Sequence, residues 1–304
     1  MDQGLVNALL PAALVAVGVL AGVTRLIQKE TFDRIPDLLF SVCYPCIIIQ
    51  SIGKTSFSAI FTQNAYAAGL ALILTPASLA IGLLAAAWMR DDHKKPVTAF
   101  AMMINNSTYV GLPVAQLLYG TRGVAFLVVF GVVQDLFLWT VGLRMFSKHT
   151  NPSWRGMFLN PAMVSLAAAL LLSLAGSPDL PLLDGVTAAL AAMTVPLALL
   201  YLGFVLAGDG AAILRVRGWV LSLSAVKVIL IPAAAVLIAG LLPVDGFHRG
   251  MTLLMAGLPM PLMTVVLAKQ FGKDAAYAVE LLLCSTALYI PVFIVLQYWK
   301  VFSL

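Results

Sequence analysis

Charged residues are scarce in this chain. Asp, Glu, Lys and Arg together make up only 10% of the 304 residues, whereas apolar residues make up 62%. A soluble domain has roughly a quarter charged and about half apolar residues, so this composition excludes a soluble protein. The apolar residues are grouped in long runs, which indicates an integral membrane protein.

Cysteines and histidines are also few, and a phosphate-binding loop is missing, and each of these features excludes a class of structure or function. The three cysteines, Cys43, Cys46 and Cys284, all lie inside apolar runs, so no disulfide framework is expected. The three histidines lie in loops without metal-ligand spacing, which argues against a metal centre and an intramembrane enzyme. The chain has no Gly-rich phosphate-binding loop with a lysine, so we expect no transport driven directly by ATP hydrolysis. No cofactor is expected.

The apolar runs are about 18 to 25 residues long, the length that a helix needs to cross about 30 Å of hydrocarbon. We therefore predict an all-α membrane protein with ten transmembrane helices. The predicted spans are 4–26, 36–53, 64–89, 97–119, 123–146, 157–176, 185–208, 217–241, 249–270 and 276–299. The N-terminus has no basic segment, which predicts a first transmembrane helix rather than a cleaved signal peptide.

The basic residues are distributed unequally between the two sets of loops. The formal net charge is +5, and thirteen Lys and Arg residues lie in loops on one face against four on the other. The positive-inside rule makes the first face cytoplasmic and puts both termini outside. The basic balance therefore reflects topology in a cytoplasmic membrane, which the family resemblance given below implies to be a bacterial inner membrane, and no nucleic-acid partner is expected.

Prolines of the second half align with prolines of the first. The pairs are Pro11 and Pro161, Pro45 and Pro196, Pro76 and Pro232, and Pro113 and Pro259. Each half contains five predicted spans, an odd number, so the second half would enter the membrane from the opposite side. We predict two inverted five-helix repeats, residues 1–147 and 157–304, joined by a cytoplasmic linker at residues 148–156.

Two predicted spans are interrupted in the same way. Span 4 contains residues 105–113, with the sequence NNSTYVGLP, and span 9 contains residues 256–261, with the sequence AGLPMP. A break at membrane depth is tolerated only inside protein or beside a wet cavity, and a matched pair points to a transporter's substrate site. We predict that the first break unwinds at Gly111 and Pro113. The half-helix N-termini created there would suit a carboxylate.

The predicted substrate site draws on both breaks. The first supplies four consecutive hydrogen-bonding side chains, which are costly at membrane depth unless they are paired, and the second supplies mainly backbone. The candidate substrate-binding residues are Asn105, Asn106, Ser107, Thr108, Tyr109, Gly111, Pro113, Gly257, Pro259 and Met260. The alternative is a polar seam that holds helices together.

Three ionisable residues lie inside predicted spans: Asp135, Lys227 and Glu280. Each costs at least about 2.5 kcal/mol if it faces lipid. Asp135, beside Gln134, is the candidate carrier of a coupling ion, H⁺ or Na⁺, and Lys227 would neutralise a carboxylate or the substrate. The alternatives are a structural ion pair between Asp135 and Lys227, and a solvated acid at a helix start for Glu280.

The chain resembles the auxin efflux carrier family, which includes bacterial organic-anion carriers and plant auxin carriers. The most specific similarities are at residues 106–113, 118–120, 160–161, 194–200, 257–259 and 265–269. The resemblance implies broken crossover helices 4 and 9, a scaffold of spans 1, 2, 6 and 7, and an elevator-like transport unit of spans 3–5 and 8–10. It also implies that Asn106 binds the substrate carboxylate and that Pro259 is a crossover proline. Asn105 replaces the proline expected before that asparagine, which argues against auxin as the substrate.

These features predict a secondary active transporter that moves a small mono- or dicarboxylate by alternating access. Its expected partners are the anion, the lipid bilayer and a second copy of the chain, bound through the scaffold helices. The alternative is a channel or a facilitative uniporter for small organic solutes. A channel is disfavoured because the sequence has no rings of charge and no filter-like run of carbonyls.

Overall fold

The computed structural model describes residues 3–25, 28–32, 34–55, 57–146, 159, 161–208 and 217–298. Within these residues every regular element is a helix. Apart from the short helix Lys29–Phe32, the described helices fall into ten segments that follow the predicted spans in order. The predicted linker at residues 148–156 lies outside the described residues.

We number these segments α1 to α10. They are α1 (Gln3–Val23), α2 (35–52), α3 (Phe57–Ala87), α4 (Lys95–Met103 and 107–119), α5 (121–146), α6 (Pro161–Leu174), α7 (Pro181–Ala192 and Thr194–Gly208), α8 (218–240), α9 (Gly246–Gly257 and Met263–Gln270) and α10 (Ala275–Tyr298). The clearest boundary difference is at α3, which begins at Phe57 rather than at residue 64.

Six of the described stretches are long and apolar enough to cross a membrane. They are Glu30–Ile52, Asn64–Ala87, Lys95–Phe146, Pro181–Val205, Gly218–Gly240 and Ala275–Gln297. Lys95–Phe146 is 52 residues long and includes both α4 and α5. Between them Gly120 has φ 57° and ψ −144°, a conformation that glycine adopts because it has no Cβ, and two helices meet there at a kink. A multi-pass membrane protein is therefore confirmed, whereas ten crossings and the inverted repeat remain predictions.

We describe the packing of the helices in two groups, which follow the scaffold and the transport unit implied by the family resemblance. In the four-helix group, α1 packs along α7, and α2 packs against α6 and α7. In the six-helix group, α3 packs against α4 and α5, and α8, α9 and α10 pack against one another. Helices of the two groups also contact each other, with α2 and α7 packed against residues 112–137 of α4 and α5, so the division into a scaffold and a transport unit stays a prediction.

Close packing of α1 on α7 depends on two glycines that face each other. A Cβ on Gly18 would overlap the carbonyl of Leu200, and a Cβ on Gly203 would overlap the carbonyl of Val15. Small residues let helix backbones approach closely in membranes, where van der Waals packing drives association. These glycines therefore fix the geometry of the four-helix group.

Four stretches of the described helices widen into π-helical turns, and three of these come just before a proline. The turns are Leu39–Cys43, Ser107–Gly111, Leu138–Gly142 and Val226–Leu230. Pro45, Pro113 and Pro232 each follow the end of a turn by two residues. A proline ring clashes with the carbonyl four residues earlier and cannot donate a hydrogen bond, and a widened turn relieves both problems. These prolines therefore continue a helix instead of ending it.

Ion pairs connect the loops at both ends of the six-helix group. Lys94 lies 3.6 Å from Asp274 on the predicted cytoplasmic face, and Arg122 lies 3.6 Å from Asp245 on the opposite face. Asp245 also caps α9 by accepting the His248 backbone N–H, which holds the pKa of that carboxyl below its ordinary value. Each ion pair joins the first half of the chain to the second, Lys94 from a loop and Arg122 from the first turn of α5.

Gly203→Ala should lower the melting temperature of the purified protein by several degrees. The added methyl group has no room beside α1, and overpacking of this kind costs about 1–3 kcal/mol. Gly69→Ala on α3 is the matched control, because a Cβ there meets no atom within 4 Å. Thermal unfolding in detergent measures both variants, and equal melting temperatures would refute this description of the packing.

Candidate functional site

The two broken helices cross in the six-helix group. α4 is interrupted at residues 104–106 and α9 at residues 258–262. The backbone N–H of Asn106 donates to the carbonyl of Pro259 over 3.0 Å. The two breaks are thus joined through their main chains.

The first break begins earlier than the sequence suggested. Ile104 has extended backbone angles, and the helical turns resume at Ser107. Gly111, at φ −63° and ψ −47°, is helical, and Pro113 lies in the first turn of the next helix, so the predicted unwinding at these two residues is wrong. The π-helical turn accommodates Pro113, and Gly111 instead allows close packing, since a Cβ there would meet the side chain of Leu258.

Asn105 links both breaks to the surrounding helices. Its side-chain Nδ2 donates to the carbonyl of Met255 in α9 over 2.7 Å, and its Oδ1 accepts a bond from Lys227 Nζ over 2.6 Å. Its backbone N–H donates to Gln134 Oε1 over 3.2 Å. Asn105 is buried, at 6% exposure, so these bonds replace the water that its polar groups would otherwise need.

Lys227 stabilises the end of the first half of α4. Its Nζ donates to the carbonyl of Met102 over 2.6 Å as well as to Asn105. A helix C-terminus carries partial negative charge, which a cation offsets. Among the described residues Lys227 forms no ion pair with Asp135, so the alternative of a structural pair is wrong.

A cavity of about 410 Å³ opens beside the crossing. Its walls come from α2 and α6 of the four-helix group and from α4, α5 and α9 of the six-helix group. The predicted residues that line it are Asn105, Asn106, Ser107, Thr108, Tyr109, Gln134 and Asp135. It reaches the exposed residue Asp37 near the start of α2, on the predicted cytoplasmic face.

Several polar groups at the cavity have no partner in the described part of the chain. Asn106 is 4% exposed, yet its side-chain amide makes no hydrogen bond to another described residue. The Oγ of Ser107 is buried and likewise unpaired. Asp135 is half-buried and has no cationic partner among the described side chains. A buried polar group without a partner is costly, so these groups are suited to a ligand or to water.

The other residues predicted from the second break shape the crossing without lining the cavity. Pro259 supplies the carbonyl that Asn106 binds, and Gly257 packs against Pro232. The backbone N–H of Met260 donates to Ser285 Oγ over 3.1 Å. Backbone groups make these polar contacts, and the contribution of the second break to ligand binding stays a prediction.

Glu280 lies away from the cavity. It is in the second turn of α10, and its Oε1 is 3.8 Å from a guanidinium nitrogen of the exposed residue Arg217. Its Oε2 is buried without a partner in the described part of the chain, so the interpretation as a solvated acid does not fit, and the coupling role stays a prediction.

Ser285 and the aromatic residues that line the cavity were not predicted from the sequence. Ser285 and Thr286 form a polar pair inside an apolar span, a signal that could have identified Ser285. Phe40, Tyr44 and Trp139 line the cavity from α2 and α5. No sequence pattern marks them, because their positions depend on how separate helices pack.

The described residues therefore define a multi-pass membrane protein with two broken helices that cross beside a buried cavity. The profile of the membrane transport protein family matches residues 6–153 and 145–297, and the chain belongs to that family. It is also similar to an uncharacterized transporter of Methanocaldococcus jannaschii, with 24% identity over 277 residues that cover 86% of this chain and 87% of that protein.

The neighbouring asparagines should differ in their effect on stability. Asn105→Ala removes a partner of the buried Lys227 ammonium, and hydrogen bonds to charged groups contribute about 1.5–3 kcal/mol. Asn106→Ala should cost less than about 1 kcal/mol, because its side chain has no described protein partner and its backbone N–H is retained. Thermal unfolding without substrate would contradict this assignment if Asn106→Ala were the less stable variant.

Proposed function

We propose that this chain is a secondary active transporter that binds a small mono- or dicarboxylate in the cavity beside the crossing. The observation that carries this proposal is the side-chain amide of Asn106, a residue that is 4% exposed and lines the cavity. It faces the cavity where two broken helices meet, and no described residue satisfies it. Broken helices that cross are the usual setting of a substrate site in secondary transporters.

Backbone groups of both breaks support the choice of an anion. Helical turns resume at Ser107 in α4 and at Met263 in α9, and both residues line the cavity. The first N–H groups of a helix have no helical acceptor, and a helix N-terminus carries partial positive charge. The Ser107 N–H already donates to the Asn105 carbonyl, so a carboxylate would be attracted by the partial positive charge of these helix ends and bound by the Asn106 amide, without a lysine or arginine in the cavity wall.

The acidic residues of the cavity point to coupling with protons. Asp135 lines the same cavity as Asn106 and has no described cation beside it. An ionised Asp135 would repel a bound carboxylate, whereas a protonated one would not. The anion and a proton would then bind together and cross the membrane in the same direction.

The position of the cavity supports an elevator-like movement. The substrate groups belong to the six-helix group, whereas Phe40 and Ala162 on the opposite wall belong to the four-helix group. We propose that the six-helix group slides as one body, with Lys94–Asp274 and Arg122–Asp245 joining its two halves. The opening near Asp37 would then correspond to an inward-facing state in a bacterial inner membrane.

Carboxylates should stabilise the wild-type protein in a thermal-shift screen of mono- and dicarboxylates. A ligand at 100 times its Kd contributes about 2.7 kcal/mol of stability. Asn106→Ala should abolish this shift and the counterflow of labelled substrate in proteoliposomes. Asn64→Ala is the matched control, because Asn64 is buried in α3 and, among the described residues, its side chain bonds to the carbonyl of Ile60 alone. Unchanged counterflow in Asn106→Ala would refute the assignment.

Asp135→Asn should uncouple transport from the proton gradient. The variant resembles the protonated carboxyl, so it should still exchange substrate in counterflow but lose accumulation driven by a pH gradient across the proteoliposome membrane. Asp37→Asn, at the exposed end of the same cavity, should keep both activities. Gradient-driven accumulation that persists in Asp135→Asn would exclude Asp135 as the proton carrier.

A further inference from the structure

Lys227 occupies an unusual place for a buried lysine. It is 1% exposed and lies in the π-helical turn Val226–Leu230 of α8, outside the cavity wall. Its two acceptors, the Met102 carbonyl and Asn105 Oδ1, are both 2.6 Å from Nζ. Neither acceptor is a carboxylate, and no carboxylate in the described part of the chain pairs with this ammonium.

Both acceptors belong to the point where α4 breaks. In transporters built from broken helices, carbonyl groups at unwound segments and half-helix C-terminal ends coordinate the coupling cation. A neutral carbonyl and a neutral amide oxygen are the kind of ligands that an alkali cation takes at such a place. Here the Lys227 ammonium binds both oxygens and brings one positive charge to the helix end.

We propose that the Lys227 ammonium is a resident cation that takes the position of an alkali ion at the crossing, so that transport requires no Na⁺. This inference rests on the proposed transport function and narrows its coupling. A bound alkali ion would leave with the substrate in each cycle, whereas Lys227 is covalently attached and returns with the helices. The coupling ion must then bind elsewhere, and Asp135 is the less exposed of the two acidic residues that line the cavity.

The inference can be tested on the folded protein without a substrate. Lys227→Ala should lower the melting temperature in choline chloride by at least about 5 °C, because two buried oxygens and a helix end lose their cation. Replacing choline by Na⁺ or ethylammonium should restore most of this loss in a saturable way, since the vacated space and its oxygens can bind a small cation. The wild type should show no difference between Na⁺ and choline.

Lys227→Met is the matched control. Its unbranched apolar side chain fills much of the vacated space, so its loss of stability should not be recovered by Na⁺ or ethylammonium. Equal cation responses of Lys227→Ala and Lys227→Met would overturn the proposal, as would a specific stabilisation of the wild type by Na⁺.

If Lys227→Ala does not fold, a second measurement tests whether transport requires Na⁺. Accumulation of a carboxylate by wild-type proteoliposomes should be the same with an imposed Na⁺ gradient as without one, and accumulation that depends on Na⁺ would overturn the proposal. The experiments also distinguish failure of the resident-cation proposal from failure of the proposed transport function. Recovery of Lys227→Ala by cations, in a protein that binds no carboxylate, would support the resident cation and refute the proposed transport function.

Discussion

Backbone groups exposed by a helix break at membrane depth must find partners inside the protein, because lipid offers none. In this chain each break supplies partners for the other. The Asn106 N–H binds the Pro259 carbonyl, and the Asn105 side chain binds the Met255 carbonyl. Lys227 then offsets the end of the first half of α4. The two breaks are therefore one structural unit, and neither would be stable in the membrane alone.

This requirement explains why two neighbouring asparagines have different roles. Asn105 uses its side chain and its backbone N–H to hold the crossing together. Asn106 uses only its backbone for that purpose, which leaves its amide at the cavity. The crossing thus leaves at the cavity a polar group without a partner in the described part of the chain, and this is the group that the proposed substrate would bind. The two ionisable residues divide their roles like the two asparagines. Lys227 is bound at the helix end, whereas Asp135 lines the cavity.

The sequence predicted the features that depend on local composition. Span positions followed from hydrophobic length, and the existence of a break in α4 and in α9 followed from polar and helix-breaking residues. The position of the first break was wrong because Pro113 follows a π-helical turn, and no rule of composition shows that such a turn will accommodate it. The partner of Lys227 was also unpredictable, since Met102 and Asn105 lie more than a hundred residues earlier in the chain and reach it only through packing. Ser285 was missed although its polar side chain stands out in an apolar span.

The central claim is that a carboxylate binds at the crossing, and protection of an introduced thiol tests it most directly. The native cysteines Cys43, Cys46 and Cys284 are buried and can be replaced, after which Thr108→Cys adds one thiol to the cavity wall. The account predicts that a transported carboxylate slows modification of this thiol by N-ethylmaleimide in a saturable way, and that the corresponding neutral amide does not. A modification rate that stays constant at carboxylate concentrations that saturate transport would contradict the account.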